Sequence, residues 1–183
     1  MRAQASQPQR RLAWLTTSRE TARQYVRWTA GLRAHPGARA ALLGANRWLK
    51  VLCYVLYPLL LVLTWFGVGC ETAGASFWHA LLAPVVGFVL ETALRAWLDA
   101  PRPYEVLAID PLIRKKTRGK SFPSRHVFSA FVIATSWLSY SVPVGCALLA
   151  VGVMLAVVRV LGGAHFPRDV VAGALLGILI GII

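Results

Sequence analysis

The chain has 183 residues, of which 57% are hydrophobic, and its 20 Lys and Arg against 7 Asp and Glu give a net charge of +13. A basic soluble protein would point to nucleic acid, but that requires a basic face with aromatic platforms or a groove-reading helix. Here the charges are segregated from the apolar runs, which excludes nucleic acid as the expected partner and points to a membrane.

Residues 1 to 9 are polar. From Arg10 to Arg33, apolar residues such as Leu12, Trp14, Tyr25 and Trp28 alternate with six arginines. Two readings are open: a basic amphipathic helix lying in the headgroup layer on anionic lipid, or a solvated helix packed on the body. The segment lacks the apolar h-region and cleavage site of a secretory signal, and His35-Pro36-Gly37 is expected to end it.

Residues 48–67, 77–94, 127–141, 143–161 and 169–183 are nearly free of charge, and each approaches the roughly 20 residues that span a bilayer as a helix. The expected architecture is therefore all-α: an integral membrane helical bundle of about five transmembrane helices plus an N-terminal amphipathic interfacial helix. It divides into a basic segment, 1–47, and a membrane domain, 48–183. Gly145, Gly152, Gly173 and Gly177 fit close helix packing. Cys53, Cys70 and Cys146 form no CxxC pair and are expected to be packing residues, neither a zinc site nor a disulfide framework.

The longest polar connection, 95–122, is rich in basic residues, and a loop of that length in a compact domain is usually functional or disordered. Three groups of polar residues mark helix ends: Arg95 with Arg102 and Pro103; Pro123, Ser124, Arg125 and His126; and Arg159, His165 and Asp169. With five spans all three fall on one membrane face, where they can converge. Ionisable residues at such positions are functional candidates by default.

Proline suits the first helical turn. Pro123 there would leave the backbone N–H groups of Ser124 and Arg125 as an anion cradle, and Pro167 would set His165 just before the last helix with Asp169 one turn on. Asp169 can then accept a hydrogen bond from one ring nitrogen of His165, leaving the other free to attack. Arg95, Arg102 and Arg159 supply planar forks for phosphate oxygens. Phosphoryl transfer needs such charge together with a nucleophile and a leaving-group acid in line, and two histidines fit those roles. Taken singly, each residue also has a structural explanation: Arg95 can pair with Glu91 one turn earlier, and His126 and Asp169 suit helix starts. His35 and His79 are expected to be structural, and Asp99, Glu105 and Asp110 solvated.

Arg95-x6-Arg102-Pro103, Pro123-Ser124-Arg125-His126 and Arg159-x5-His165-x3-Asp169 together resemble the three-part signature of the type 2 phosphatidic acid phosphatase and vanadium haloperoxidase superfamily. The resemblance covers about 48–183. It implies a helical bundle hydrolysing a lipid phosphomonoester or diphosphate of the isoprenoid, phosphatidylglycerol phosphate or phosphatidate class, with no cofactor and no metal. By the same resemblance His165 is the nucleophile that forms a phosphohistidine, Asp169 orients it, and His126 protonates the leaving alcohol. Arg95, Arg102, Ser124 and Arg159 bind the phosphate, and Arg125 joins that set. The chain departs from the family pattern in carrying Arg95 for lysine, Arg125 for glycine and Val158 for serine. The bulky cation at 125 bears on substrate access, or on recognition of a second phosphate or headgroup.

The alternatives are a haloperoxidase, against which the membrane spans argue, and a non-catalytic lipid-binding or transport protein that keeps the anion pocket. An intact His165, Asp169 and His126 speaks against the latter. Lys and Arg mark cytoplasmic loops, and none of the 20 falls in 67–77 or 140–143. The site is therefore expected on the cytoplasmic face of the plasma membrane.

Overall fold

The computed structural model describes residues 7–69, 73–113 and 118–183, with side chains described from residue 20 and again from residue 77 after the first connection. The described elements are helical: α1 (Gln7–Ala34), α2 (Pro36–Trp65), α3 (Ala73–Leu98), the single turn α4 (Pro103–Val106), α5 (Arg125–Tyr140), α6 (Val142–Leu161) and α7 (Pro167–Ile182). The chain is an all-α membrane bundle. By length and apolarity α2, the stretch Phe77–Val106 that includes most of α3, and α6 suffice to cross a bilayer. The shorter α5 and α7 have 16 residues each.

The first expected span starts earlier than its apolar run. Pro36 occupies the first turn of α2, where its missing N–H is no loss, and the helix then continues unbroken through residue 48. The expected division after residue 47 thus falls inside α2. What carries the helix past the polar stretch is tertiary packing: Leu42 is buried with Leu112, Ile113 and Ala164, and Asn46 accepts a hydrogen bond from Arg159 at 3.2 Å.

Helix α1 sits on the body through Tyr25 and Thr29, both buried and one turn apart, while Val26 and Trp28 are exposed. Arg33 ties it to the long loop by donating to the Asp110 carbonyl and lying 3.8 Å from the Asp110 carboxylate.

Helix α5 is the centre of the bundle, packing most extensively on α7 and α6 and also on α3 and α2. From Ala130 to Trp137 it is buried on every side, a pattern expected of a helix enclosed by others rather than one with a single apolar stripe. The α5–α7 contact is backbone to backbone. A Cβ at Gly173 would lie 2.7 Å from the Ser124 carbonyl oxygen, and one at Gly177 would lie 2.7 Å from that of Phe128. Gly145 and Gly152 similarly meet Leu138 and Phe131, so the glycines do serve close packing.

Substituting Gly177 by Val should therefore lower the thermal stability of the detergent-solubilised protein, because overpacking costs about 1–3 kcal/mol. Gly44 has no neighbour within 4 Å of its Cβ direction, and Gly44→Ala should be neutral or stabilising, since alanine is the better helix former by about 1 kcal/mol. Equal melting temperatures for the two variants would contradict the close α5–α7 approach.

Candidate active site

Helix α7 starts at Pro167, as the sequence predicts, and Asp169 closes its first turn by accepting a hydrogen bond from the Phe166 N–H at 3.0 Å. This turn holds His165, which is 2% exposed, directly ahead of the helix.

The partner of His165 differs from the expectation. Nδ1 lies 2.9 Å from the backbone carbonyl of Ser121 and 3.6 Å from Asp169 Oδ2. A carbonyl can only accept, so Nδ1 carries the proton and Nε2 keeps the lone pair. Asp169 acts one step back: its Oδ2 accepts from the Ser121 hydroxyl at 2.5 Å. Ser121, the first residue of SFPSRH, is a residue of the candidate site that sequence reasoning missed. A hydroxyl residue beside the Pro-Ser-Arg-His motif was the available signal.

The N-terminus of α5 also corrects the expectation. Ser124 is the cap and Arg125 the first helical residue, so Pro123 lies ahead of the helix. Tertiary bonds hold the chain there: the Pro123 carbonyl accepts from Arg95, and the Ser124 N–H donates to the Asp169 carbonyl at 2.9 Å. The Ser124 amide is thereby spent on α7 and cannot belong to a free anion cradle.

The arginines are less in need of an anion than their shortage of acids suggested. Arg95 pairs with Glu91 at 3.3 Å and donates to the carbonyls of Pro123 and Lys120. Arg102 donates to the carbonyls of Gly119 and Ala164, at 3.1 and 3.2 Å, and so ties the long loop to the turn that carries His165. Glu105, expected in solvent, instead accepts from the backbone N–H groups of Arg102 and Gly119 at 2.7 and 2.9 Å. Asp99 and Asp110 are exposed, but Asp99 accepts from the Lys120 N–H at 3.2 Å. Arg114, Lys115, Lys116 and Cys70 lie outside the described residues.

Donor capacity nevertheless remains. Arg95 Nε, Ser124 Oγ, and Arg159 Nε and Nη2 are buried with no hydrogen-bond partner among the described residues. Buried polar groups normally find one, and here unused donors come from all three sequence motifs.

Arg95, Arg102, Arg125, His126 and His165 line one cavity of about 340 Å³, together with Arg118, Gly119 and Lys120. Arg159, Ser124 and Asp169 stand behind its wall, each no more than 1% exposed. Beside it lies an apolar groove of about 360 Å³ between α2, α3 and α5, lined by residues including Tyr57, Val85, Phe88 and Val132. Arg125 and His126 line both spaces. His35, at the cap of α2, and His79, in an apolar groove of α3 and α7, line neither of these two spaces.

A profile of the PAP2 superfamily matches residues 76–183. The chain belongs to the PAP2 superfamily. Among solved structures it resembles LpxE of Aquifex aeolicus, with 31% identity, a TM-score of 0.63, and 81% of this chain and 85% of that one covered. A transmembrane PAP2-type phosphatidylglycerolphosphate phosphatase from Bacillus subtilis shares the fold, with a TM-score of 0.66 at 21% identity over 92% and 83% of the two chains. In sequence the chain is 26% identical over 129 residues to undecaprenyl-diphosphatase BcrC of Bacillus subtilis (strain 168), covering 70% of this chain and 66% of that relative. It spans just under two thirds of that relative's length.

Burial pushes the His165 imidazole down from 6.5 to about 4. The nearby Arg159 and Arg102 act in the same direction, while Asp169 opposes them. The ring is accordingly neutral at physiological pH, and protonates only as pH falls through about 4. An NMR titration of ring-labelled histidine, with His165→Gln to assign the signal, should show this late protonation. A midpoint at the ordinary 6.5 would mean that the ring is solvated.

Proposed function

We propose that the protein is an integral membrane phosphatase that hydrolyses a lipid phosphomonoester or diphosphate through a phosphohistidine. The observation that carries this reading is the meeting of two spaces: a cationic cavity containing both motif histidines, and an apolar groove that shares Arg125 and His126 with it. An anionic headgroup suits the first and an acyl or prenyl chain the second. Membership of the PAP2 superfamily supports the reaction class.

In this reading Nε2 of His165 attacks phosphorus, with the ring held by the Ser121 carbonyl and that loop clamped in turn by Asp169. His126 gives a proton to the leaving oxygen, and water then releases phosphate from His165. Arg95, Arg102, Ser124 and Arg159 spread the charge of the transferred group, the main demand of phosphoryl transfer, and Arg125 stands on the leaving-group side, where the cavity meets the groove. A divalent cation needs several oxygen ligands, whereas among the described residues the cavity is lined by five Lys or Arg and no carboxylate; the reaction is proposed to be metal-independent. Among the described residues no group of three acids, histidines or cysteines is suited to a metal.

The test is phosphate release from a panel of lipid phosphates and diphosphates in EDTA. Wild type should turn over, and His165→Ala should lose activity by several orders of magnitude, as removal of a covalent nucleophile does, while still binding vanadate. A chelator-sensitive activity restored by Mg²⁺ would remove the metal-free mechanism, and near-normal turnover by His165→Ala would remove the nucleophile.

The proposed location is the plasma membrane, with the site facing the cytoplasm and the arginines of α1 on anionic lipid. The distribution of Lys and Arg supports this orientation. In a protein otherwise free of cysteine, a cysteine at exposed Val68, in the α2–α3 connection, should react with an impermeant maleimide on intact cells. One at exposed Ala108, in the long loop, should react only after permeabilisation. The opposite pattern would invert the topology.

A further inference from the structure

The arginine of SFPSRH is held by α3. Phe88, Glu91 and Thr92 fall on one face of that helix, and all three meet the Arg125 side chain: its guanidinium lies 4.9 Å from the centre of the Phe88 ring, Nε is 3.2 Å from Glu91 Oε2, and Nη2 is 3.2 Å from Thr92 Oγ1. Such stacking and pairing fix a planar guanidinium in a way lysine cannot reproduce. Its side chain is still 38% exposed, against 1% for Glu91. Glu91 is shared with Arg95, so one carboxylate stands between two permanent cations.

The place where Arg125 is held is the boundary between the two spaces. It follows Ser124 and precedes His126, and with His126 it borders both the cationic cavity and the apolar groove. A lipid that reacts at His165 and lays its chain in the groove must pass this boundary on the leaving-group side. In a lipid monophosphate the atoms there are a neutral alkyl oxygen and carbon. In a lipid diphosphate they are a second phosphate. A partly exposed guanidinium next to apolar walls gains more from an anion than from an ether-like carbon, because a charge-assisted contact is the stronger one and apolar walls screen it less than bulk water does.

We propose that Arg125 is the specificity-determining residue of this site and binds the second phosphate of a lipid diphosphate, so that the chain prefers diphosphates to monophosphates. The inference rests on the phosphatase reading above. The reaction it specifies is balanced: the lone pair of His165 Nε2 forms a bond to the terminal phosphorus, and the bond from that phosphorus to the bridging oxygen breaks. The bridging oxygen leaves with its electron pair as part of a lipid monophosphate, stabilised by Arg125 and protonated by His126 as required. Water then cleaves the phosphohistidine to inorganic phosphate and regenerates His165. The second phosphate stays on the product, and its contact with Arg125 is available in substrate, transition state and product alike.

The experiment compares farnesyl diphosphate with farnesyl monophosphate as substrates, and the corresponding methylene-bisphosphonate with the simple phosphonate as ligands. Each is tested with wild type, Arg125→Gln and Arg125→Lys. Wild type should favour the diphosphate in kcat/KM and bind the bisphosphonate more tightly than the phosphonate. Arg125→Gln should lose roughly tenfold to hundredfold more on the diphosphate than on the monophosphate, the size expected of one charge-assisted contact, and the bisphosphonate advantage should fall in parallel. Arg125→Lys, which keeps the charge but not the stacked fork, should recover part of it.

Equal losses on both substrates, with a lowered melting temperature, would assign Arg125 to holding Glu91 and overturn the proposal. So would an unchanged ratio. If wild type hydrolyses neither substrate, the phosphatase reading fails for this class. The binding comparison still decides the inference, since an Arg125-dependent preference for the bisphosphonate supports it and equal binding of the two ligands overturns it.

Discussion

The close approach of α5 and α7 is the constraint on which the site depends. Helices usually pack about 8–10 Å apart, and side chains fill the gap. Where Gly173 and Gly177 face α5, backbone meets backbone instead. This brings the start of α5 against the start of α7, so that the Ser124 N–H can reach the Asp169 carbonyl and the Ser121 hydroxyl can reach the Asp169 carboxylate. A methyl group at Gly173 would strike the Ser124 carbonyl itself. Two residues 48 positions apart in sequence become a rigid support for His165 because of a missing side chain one turn away.

The second organising element is the use of guanidinium groups as loop clamps. Arg95 and Arg102 each reach two or more backbone carbonyls in 119–123 and at Ala164. The stretch 118–121 has no apolar side chain to hold it, and charge-assisted hydrogen bonds are about twice as strong as neutral ones. Glu105 works from the other side, accepting backbone N–H groups. The cations that face the cavity thus also build its wall, and the same residues would tighten around an anion with little reorganisation. Preorganisation of that kind is what electrostatic catalysis requires.

The sequence made the helices legible because membrane burial writes itself as long apolar runs, and the three polar groups stood out against them. Arg95, Arg102, His126 and His165 do meet around one cavity. What the sequence concealed were contacts that depend on tertiary geometry. The start of α2 is polar and is carried by Leu42 and Asn46 against distant partners. Proline at 123 is equally compatible with the first turn of a helix and with the extended residue before it, and only the bonds to Arg95 and Asp169 choose. The orientation of His165 through the Ser121 carbonyl was invisible for a simpler reason: every residue has a carbonyl, so no residue type announces that role. Glu105 looked like a solvated loop acid because its partners are likewise backbone groups.

The first turn of α5 joins all these features. Its cap residue is bonded to α7, its first residue to α3, and its second residue faces both the cationic cavity and the apolar groove. A substrate with a charged end and an apolar end presents two solvation demands that no single environment meets, since burying an unpaired charge costs several kcal/mol and exposing a long chain forfeits about 0.8 kcal/mol per methylene. The two environments must therefore touch along a line, and the bond to be broken must lie close to it. Arg125 and His126 lie on that line. In the proposed reading, the permanent cation of Arg125 puts charge at the point where a headgroup would give way to its chain, and the chemical nature of the leaving group is then the feature that this residue would read.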